Sequence, residues 1–442
     1  MKSQLRRSGA LLGACAVAAV SVAACGSSSS GSSSSSSSTG GSAAATTSAA
    51  TTSAGSSSAA PAASSSALGT PKAASGKPVV FGMINLELNP QASFPEVRAA
   101  AEAAVKYVNA YKGGLDGHPI QLDTCLTDGS PATSAQCANK LVAQHPVAIL
   151  GGADLSAANT LPIYKKAGLA YIGGMDLTPV ESSAPNAVIF NDIAQSGNSD
   201  IGVYAVKNLH AKNVSVLALD NTQGTAQAKL FEIPSVTASG GTAKLFSLPP
   251  SQADVSSNIA SAISNSPDAL LLEDPSQCVA ILSALKSLGN TKPVLSIDPC
   301  SAPSVVKAAA GGANGMYWFE PYQDLFAADQ TKDVVLTKAI LAKYAPANIA
   351  IDSPALGGLT TVMNVWSAFH NTPVSKLTSA YMLKTLKTGT HPAFLSTTYT
   401  CNGKAIVKEP AICSANEYLY QIKGTTPTLV QSNYTAGANI GG

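Results

Sequence analysis

Apolar positions between residues 78 and 300 alternate between two patterns. Short continuous apolar runs, such as residues 79–84, are typical of buried strands. Each run is followed by a segment with apolar residues at helical spacing, such as residues 95–111, where Val97, Ala101, Ala104 and Val108 recur. Strands that alternate with helices of this length predict parallel sheets with helices on both faces.

The alternation continues in two successive series, which predicts two α/β lobes. The other predicted strands are residues 120–125, 148–152, 169–172, 214–219, 242–248, 269–272 and 294–297. The other predicted helices of the two series are residues 131–144, 157–167, 197–209, 224–238, 255–265 and 277–288. Three more helices, at 331–344, 357–371 and 375–388, follow the second series and predict that the chain returns to the first lobe. We expect residues 399–430 to form an antiparallel hairpin that holds Cys401 and Cys413.

The N-terminus has the pattern of an export signal. Lys2, Arg6 and Arg7 precede a short apolar stretch that ends in small residues before Cys25. The stretch is too short for a stable membrane span. It resembles the bacterial lipobox, in which the signal is cleaved before the cysteine and the sulfur is lipidated. Cys15 also follows small residues but leaves too short an apolar segment; an ordinary secretion signal or a retained anchor are the other interpretations.

Residues 26–76 consist almost entirely of Ser, Gly, Ala, Thr and Pro. Such a segment has little apolar area to bury, so we expect a flexible coil with a root-mean-square reach on the order of 40 Å. We interpret it as a spacer between the membrane and the folded lobes, with glycosylation of its hydroxyls as a minor alternative.

Charge and composition exclude several classes of function. The net charge of +2 becomes −1 when the signal is removed, because 24 basic and 25 acidic side chains remain. A nearly neutral chain has no electrostatic surface for nucleic acid. The five histidines are scattered, and the sequence has no metalloprotease, serine-hydrolase or P-loop motif. We therefore predict no catalytic residues, no metal and no cofactor.

Six cysteines outside the signal fall into three sequence-local pairs: Cys125 with Cys137, Cys278 with Cys300, and Cys401 with Cys413. Six cysteines allow fifteen connectivities, so this pairing is only the favoured one. An oxidising compartment favours disulfides, and the chain has no C-x₂-C pair of the kind that binds zinc.

Several segments in order resemble the type I periplasmic binding proteins, in the branch that binds leucine, isoleucine, valine and amides for ABC importers. They are AAVKYVN at 103–109, GGLDGHPIQL at 113–122, Gly151-Gly152, IYKKAG at 163–168, SPDA at 266–269 and AGGANGMY at 310–317. The resemblance covers nearly all of residues 78–430. It implies two doubly wound parallel-sheet lobes, a hinge of three crossovers, and a ligand cleft at the carboxyl ends of the strands.

The resemblance also implies the organisation of the chain. The expected parts are a signal peptide (1–24), the lipidated Cys25 with its linker (25–76), lobe 1 (77–195 and 322–393), lobe 2 (196–321), and the hinge with the C-terminal hairpin of lobe 2 (394–442). The expected partners are a small-molecule solute, the permease and ATPase subunits, and the membrane through the lipid. We expect a monomer.

The implied cleft is built from the loops after the strands, at residues 85–94, 152–159, 173–178, 220–225, 273–277 and 298–301. The candidate ligand-binding residues in them are Asn89, Phe94, Asp154, Leu155, Met175, Asp176, Thr178, Asp220, Asp274 and Asp298. Relatives bind the ligand carboxylate with hydroxyls of the second and third loops, where this chain has Asp154 and Asp176. Tyr317, Trp318 and Tyr322 are further candidates for stacking on a ligand, although the first two are typical core residues.

Up to five aspartates in one cleft disfavour a ligand carboxylate, because like charges repel strongly in a desolvated site. The sequence therefore predicts a donor-rich solute: a polyol or sugar, an amide, or a cationic amine. The alternative is that several of these aspartates cap helices or turns. Two other functions stay open, a sensory lipoprotein of the same fold and, on the acids alone, an extracellular enzyme such as a glycosidase.

Overall fold

The computed structural model describes residues 65–90, 92–193, 195–250, 254–273, 277–297, 300–438 and 440. The export signal, Cys25 and the first part of the predicted linker lie outside this range, as do Asp274 and Asp298. Within it, no helix has the length and apolar character needed to cross a membrane.

Strands and helices alternate along most of the described chain. In chain order the strands are β1 (Val79–Leu86), β2 (Ile120–Thr127), β3 (Ile149–Leu150), β4 (Tyr171–Ile172), β5 (Ala187–Val188), β6 (Asn213–Leu219), β7 (Thr242–Leu248), β8 (Ala269–Glu273), β9 (Val294–Ile297), β10 (Tyr317–Glu320), β11 (His391–Pro392), β12 (Thr398–Tyr399), β13 (Glu417–Lys423) and β14 (Thr426–Tyr434). The α-helices are α1 (Pro95–Tyr107), α2 (Pro131–Ala143), α3 (Ala157–Lys166), α4 (Pro179–Ser183), α5 (Ser196–Lys207), α6 (Thr222–Gln227), α7 (Ile233–Ala238), α8 (Ser256–Ser264), α9 (Cys278–Ser287), α10 (Pro303–Ala308), α11 (Lys332–Tyr344), α12 (Ser353–Phe369) and α13 (Ser379–Leu386). A π-helical turn at Val108–Lys112 continues α1, and another at Ala228–Glu232 joins α6 to α7.

Two sheets form the centres of two lobes. The sheet of lobe 1 is parallel, in the order β2-β1-β3-β4-β5. The sheet of lobe 2 has the order β14-β13-β10-β9-β8-β6-β7, in which β6 to β10 are parallel and the β13–β14 hairpin pairs antiparallel with β10. Separate apolar clusters cover both faces of each sheet. The predicted α/β class and the doubly wound lobes are confirmed.

The chain passes between the lobes three times. It leaves lobe 1 between β5 and α5, returns between β10 and α11, and leaves again between β12 and β13. The helices that return, α11 and α12, pack against α1 of lobe 1. We refer to these three connections as the first, second and third crossovers.

The predicted linker ends earlier than residue 76. Leu68 is only 3% exposed and packs into the core of lobe 1, and its helical turn, Ser65–Leu68, contacts α11. The backbone N–H groups of Lys72 and Ala74 then donate to carbonyls of the π-helical turn that continues α1, at 3.0 and 2.8 Å. The expectation of a coil through residue 76 was therefore wrong for residues 65–76, where one leucine and backbone hydrogen bonds offset the ordering entropy.

The C-terminal hairpin also differs from its prediction. It spans Glu417–Tyr434, and Cys401 and Cys413 precede it rather than lie within it. The segment between the cysteines contains Pro410 and runs beside lobe 1, where Ile189 N–H donates to the Ala411 carbonyl at 2.8 Å. Its backbone hydrogen bonds go to Ile189, which follows β5 and pairs with Ile412 in the parallel sense, and to Ser182 of α4.

Three disulfides join the cysteines that are neighbours in sequence: Cys125–Cys137, Cys278–Cys300 and Cys401–Cys413. Each closes a short loop, of 12, 22 and 12 residues of separation. The first joins β2 to α2, and the third closes the loop of the third crossover. Loops of this size make each bond a stabiliser of about 2–4 kcal/mol.

Candidate functional site

The carboxyl ends of the parallel strands in both lobes carry the loops that form the candidate site. In lobe 1 these loops follow β1 to β5, and in lobe 2 they follow β6, β8, β9 and β10. Glu417, at the start of the antiparallel β13, lies at the same edge of the second sheet because it stands next to Tyr418, the partner of Glu320. Open α/β sheets bind ligands at this edge.

Asn89 and Phe94, predicted from the first loop, have structural contacts. The Asn89 side-chain amide donates to the Asp128 carbonyl at 3.0 Å and its oxygen accepts from Ala92 N–H at 3.3 Å. Phe94 is the residue before α1 and packs, partly buried, against the core of lobe 1. Both residues shape the loop between β1 and α1.

Asp154 is fully buried and holds the start of its own helix. Its carboxylate accepts from Ser156 N–H at 2.9 Å and from the Thr160 hydroxyl at 2.5 Å. Burial raises the pKa of Asp154, and these two hydrogen bonds oppose the rise. The capping interpretation of Asp154 thus describes its contacts, whereas the adjacent Leu155 is 42% exposed.

The three candidate residues of the third loop have different surroundings. Met175 is buried in the core of lobe 1, and Thr178 forms a capping box with Glu181 at the start of α4. Asp176 is 4% exposed and accepts a hydrogen bond from Ile193 N–H, at 2.9 Å, in the first crossover. Asp176 therefore contacts the hinge.

In lobe 2, Asp220 follows β6 and is exposed, with its N–H donating to the Leu248 carbonyl at 2.8 Å. Among the aromatic candidates, Trp318 and Tyr322 are buried in the two lobe cores, and Tyr317 is half-buried in β10. The prediction that Trp318 is a core residue agrees with its complete burial.

A pocket lies where the lobes face each other beside the second crossover. Its cavity volume is about 20 Å³, and the surrounding space that is open to solvent brings the total to about 290 Å³. Its lining combines residues that follow β9 and β10 in lobe 2 and the second crossover with residues at the start of α12 in lobe 1: Ser301, Ala302, Glu320, Asp324, Leu325, Phe326, Ile351, Asp352 and Leu356. Three carboxylates line it, and within the described part of the chain its lining includes no Lys or Arg.

Two carboxylates of this pocket are held in place by the fold. Asp324 accepts from Phe326 N–H at 2.6 Å, while its own N–H donates to the Tyr420 hydroxyl at 2.9 Å. Asp352 caps α12 by accepting from Ala355 N–H at 3.1 Å. The pocket thus presents fixed hydrogen-bond acceptors between the lobes.

The sequence model of the periplasmic binding proteins matches residues 78–424 of the chain. The chain belongs to the periplasmic binding protein family. Among curated protein sequences, none matches it.

Solved structures share the fold of the binding protein at low identity. An ABC transporter substrate-binding protein from Sphaerobacter thermophilus is 14% identical, with a TM-score of 0.67 over 83% of this chain and 100% of that one. The branched-chain amino acid transporter substrate binding protein LivJ from Streptococcus pneumoniae, in complex with isoleucine, is 18% identical, with a TM-score of 0.60 over 81% and 99%. A solute binding protein of an ABC transporter from Rhodopseudomonas palustris, in complex with 3,4-dihydroxybenzoic acid, is 17% identical, with a TM-score of 0.63 over 81% and 99%.

Family membership gives the binding protein its general role. It is an extracytoplasmic protein that binds a small-molecule solute. It is a solute-binding protein and not an enzyme.

The binding protein also has a group of five acids that sequence reasoning largely missed; four are buried and Glu409 is half-exposed. Asp176, Asp192, Asp200, Glu409 and Glu417 meet at the first and third crossovers. Only Asp176 was predicted, because the others follow no predicted strand of a parallel sheet. A buried acid in a hinge has no local sequence signal; its surroundings come from segments more than 200 residues apart.

The Asp192 carboxyl contributes to a raised pKa in each of the other four acids of this group. Burial, followed by the neighbouring Asp192 carboxyl, raises the pKa of Asp176 well above its usual range. Burial also raises the pKa of Glu417, with added repulsion from Asp200 and Asp192, and raises the pKa of Glu409 to about 7. In the described residues no Lys or Arg forms an ion pair with Asp176, Asp200, Glu409 or Glu417. Buried carboxyls without basic partners require protons or a cation.

A second acidic pair lies in lobe 2, where burial and mutual repulsion raise the pKa of Glu232 beside Glu273. Glu273 ends β8, and Glu232 lies in the π-helical turn between α6 and α7. Two more acids therefore lie at the carboxyl edge of the second sheet.

Proposed function

We propose that the binding protein is a lipid-anchored receptor for a donor-rich solute, which it encloses between its lobes. The observation that carries this proposal is the pocket between the lobes, where Glu320, Asp324 and Asp352 converge without a described basic residue. A carboxylate can accept several hydrogen bonds, so a solute with hydroxyl, amide or ammonium donors would complement these three side chains.

The same pocket disfavours a free α-amino acid or another carboxylate. A ligand carboxylate beside these side chains would be repelled, and the repulsion grows as closure removes water. The structures complexed with isoleucine and with 3,4-dihydroxybenzoic acid belong to other members, at 18% and 17% identity. We infer that this chain takes a polyol or sugar, an amide, or a cationic amine.

Closure would follow from contacts with both lobes. Glu320 belongs to lobe 2 and Asp352 to the start of α12 in lobe 1, so one solute bound to both favours the closed state. The solute shifts the population only by its difference in affinity between the two states.

The test is to identify small molecules released from gently purified protein by mass spectrometry, and then to measure their binding by calorimetry. We expect polyols, amides or amines to bind, and leucine and isoleucine to bind at least tenfold more weakly. Glu320→Gln should weaken binding of a cationic amine by tenfold or more. The matched control Glu102→Gln lies on α1, away from the pocket, and should leave affinity unchanged. Tight leucine binding would overturn the proposed ligand class.

The lipid anchor and the monomeric state belong to the same proposal. Residues 26–64 connect Cys25 to the helical turn Ser65–Leu68 on lobe 1. Cys25→Ala should move the protein from the membrane to the soluble fraction and abolish incorporation of a labelled fatty acid. Light scattering on the soluble variant should give the mass of one chain; membrane retention of Cys25→Ala would contradict the anchor.

A further inference from the structure

Three carboxylates from distant parts of the chain converge at the hinge. One oxygen each of Asp176, Asp192 and Glu409 lies within 4.8 Å of the other two. They come from the third loop of lobe 1, the first crossover, and the loop closed by Cys401–Cys413. Carboxylate oxygens are the ligands that hard divalent cations such as Ca²⁺ prefer.

The fold fixes the two buried carboxylates in orientation. Asp192 accepts from Gln195 N–H at 3.1 Å and from Ser196 N–H and hydroxyl, each at 2.6 Å, in the first turn of α5. Asp176 accepts from Ile193 N–H at 2.9 Å. Hydrogen bonds of this kind around metal-binding carboxylates preorganise a site.

An independent observation is an unpartnered carboxylate beside this group. Glu417 is 1% exposed, and its Oε2 atom has no hydrogen-bond partner. That atom lies 4.0 Å from the place where a Cβ on Gly197 would be, above the same turn of α5 that Asp192 caps. Asp200 Oδ2, fully buried on the next turn, is also without a hydrogen-bond partner. Leaving buried carboxyl oxygens without a partner is costly, so their placement calls for a proton or a positive charge nearby.

We propose that Asp176, Asp192 and Glu409 bind a hard divalent cation, of which Ca²⁺ is the representative, with the buried Glu417 carboxyl beside Asp192. Glu409 is half-exposed and gives the cation a route from solvent. The cation would join the first and third crossovers, which already meet through the hydrogen bond from Asp192 N–H to the Ser414 carbonyl at 3.0 Å. This site is separate from the solute pocket and has a structural role in the hinge.

The experiment uses the full chain, stripped with EDTA and dialysed, and titrated with CaCl₂ alone in a calorimeter. We expect one binding event and, at millimolar Ca²⁺, a rise of about 2 °C or more in the unfolding midpoint. Glu409→Gln, at a half-exposed position that should still fold, is expected to weaken binding by fivefold or more. Glu102→Gln, also half-exposed, is the control and should bind as the wild type does.

Two results would overturn the site. One is the absence of heat and of any midpoint shift with CaCl₂, MgCl₂ and MnCl₂, which would leave the carboxyls held by protons alone. The other is Ca²⁺ affinity in Glu409→Gln within fivefold of the wild type. Asp176→Asn gives a second variant, expected to lose Ca²⁺ binding. The solute affinity of Glu409→Gln is measured as well. It distinguishes failure of the cation site from failure of the proposed solute pocket, because the variant can lose Ca²⁺ binding and still bind the solute.

Discussion

The hydroxyl of Thr361 accepts a hydrogen bond from the backbone N–H of Gly174 at 3.0 Å, and so joins α12 to the loop that carries Asp176. Gly173 approaches the same threonine so closely that a Cβ would lie 2.3 Å from Thr361 Oγ1. The loop after β4 is therefore positioned by a helix that enters lobe 1 almost 190 residues later.

Gly173→Ala should destabilise the protein strongly. The residue has φ of +73°, which disfavours a side chain, and the new Cβ would also overlap with Thr361. Together the two effects predict a loss of about 2–4 kcal/mol in the free energy of unfolding. Gly168→Ala is the matched control, with φ of +72° and open space at the Cβ position, and should lose about 1 kcal/mol. Equal losses in urea unfolding would contradict the steric argument.

Leu68→Ala should reveal that residues before β1 stabilise lobe 1. Truncation of a leucine that is 3% exposed predicts a loss of about 2–4 kcal/mol in the free energy of unfolding. The control Leu230→Ala removes a side chain that is 57% exposed and should change stability by less than about 0.5 kcal/mol. Denaturant unfolding measures both. A shortened protein that begins at residue 77 provides a second test. If it unfolded at the same urea concentration as the longer chain, the stabilising contact of Leu68 with lobe 1 would be refuted.

Glu96→Gln should stabilise the protein at high pH and not at low pH. Burial raises the pKa of Glu96 from 4.5 to about 7. The folded state therefore binds more protons than the unfolded state between these values, and stability falls as the pH rises through that window. The difference corresponds to at most about 3 kcal/mol above pH 7, which the amide variant removes.

The measurement for Glu96→Gln is the unfolding midpoint at pH 4 and pH 8. The control Glu102→Gln loses an ion pair with Arg98 at 2.9 Å and should not gain stability at pH 8. If the midpoint changed by the same amount between pH 4 and pH 8 in the wild type and in Glu96→Gln, that result would count against a protonated Glu96.

Removal of the Cys401–Cys413 disulfide by a double alanine variant should cost about 2–4 kcal/mol. The Cys125–Cys137 bond closes a loop of the same separation, 12 residues. Its removal by a double alanine variant should therefore change the loop entropy of the unfolded chain by the same amount. We expect the two losses to agree within about 1 kcal/mol, as measured by denaturant unfolding without reductant. An unchanged stability in either variant would show that the bond does not constrain the unfolded chain.

The alternation of apolar runs and amphipathic segments was enough to predict most elements of the fold. β7 and β9 have the predicted bounds, and most other predicted elements differ by a few residues at their ends. Among the omitted strands, β5 and β11 have only two residues each, and β10 is a four-residue aromatic-rich segment with two candidates for ligand stacking. Short strands give too little periodicity to be recognised.

Sequence by itself determined the α/β class and the two lobes and favoured the local disulfide pairs, because these depend on periodicity and on cysteines close along the chain. It also placed acidic residues in the loops at the strand ends. Only the tertiary structure decided what those acids contact: Asp154 turns back to its own helix, whereas Asp176 reaches Ile193 and the hinge acids. Docking of Leu68 was decided in the same way. These outcomes depend on burial and on hydrogen bonds between segments far apart in the chain, which no local pattern encodes.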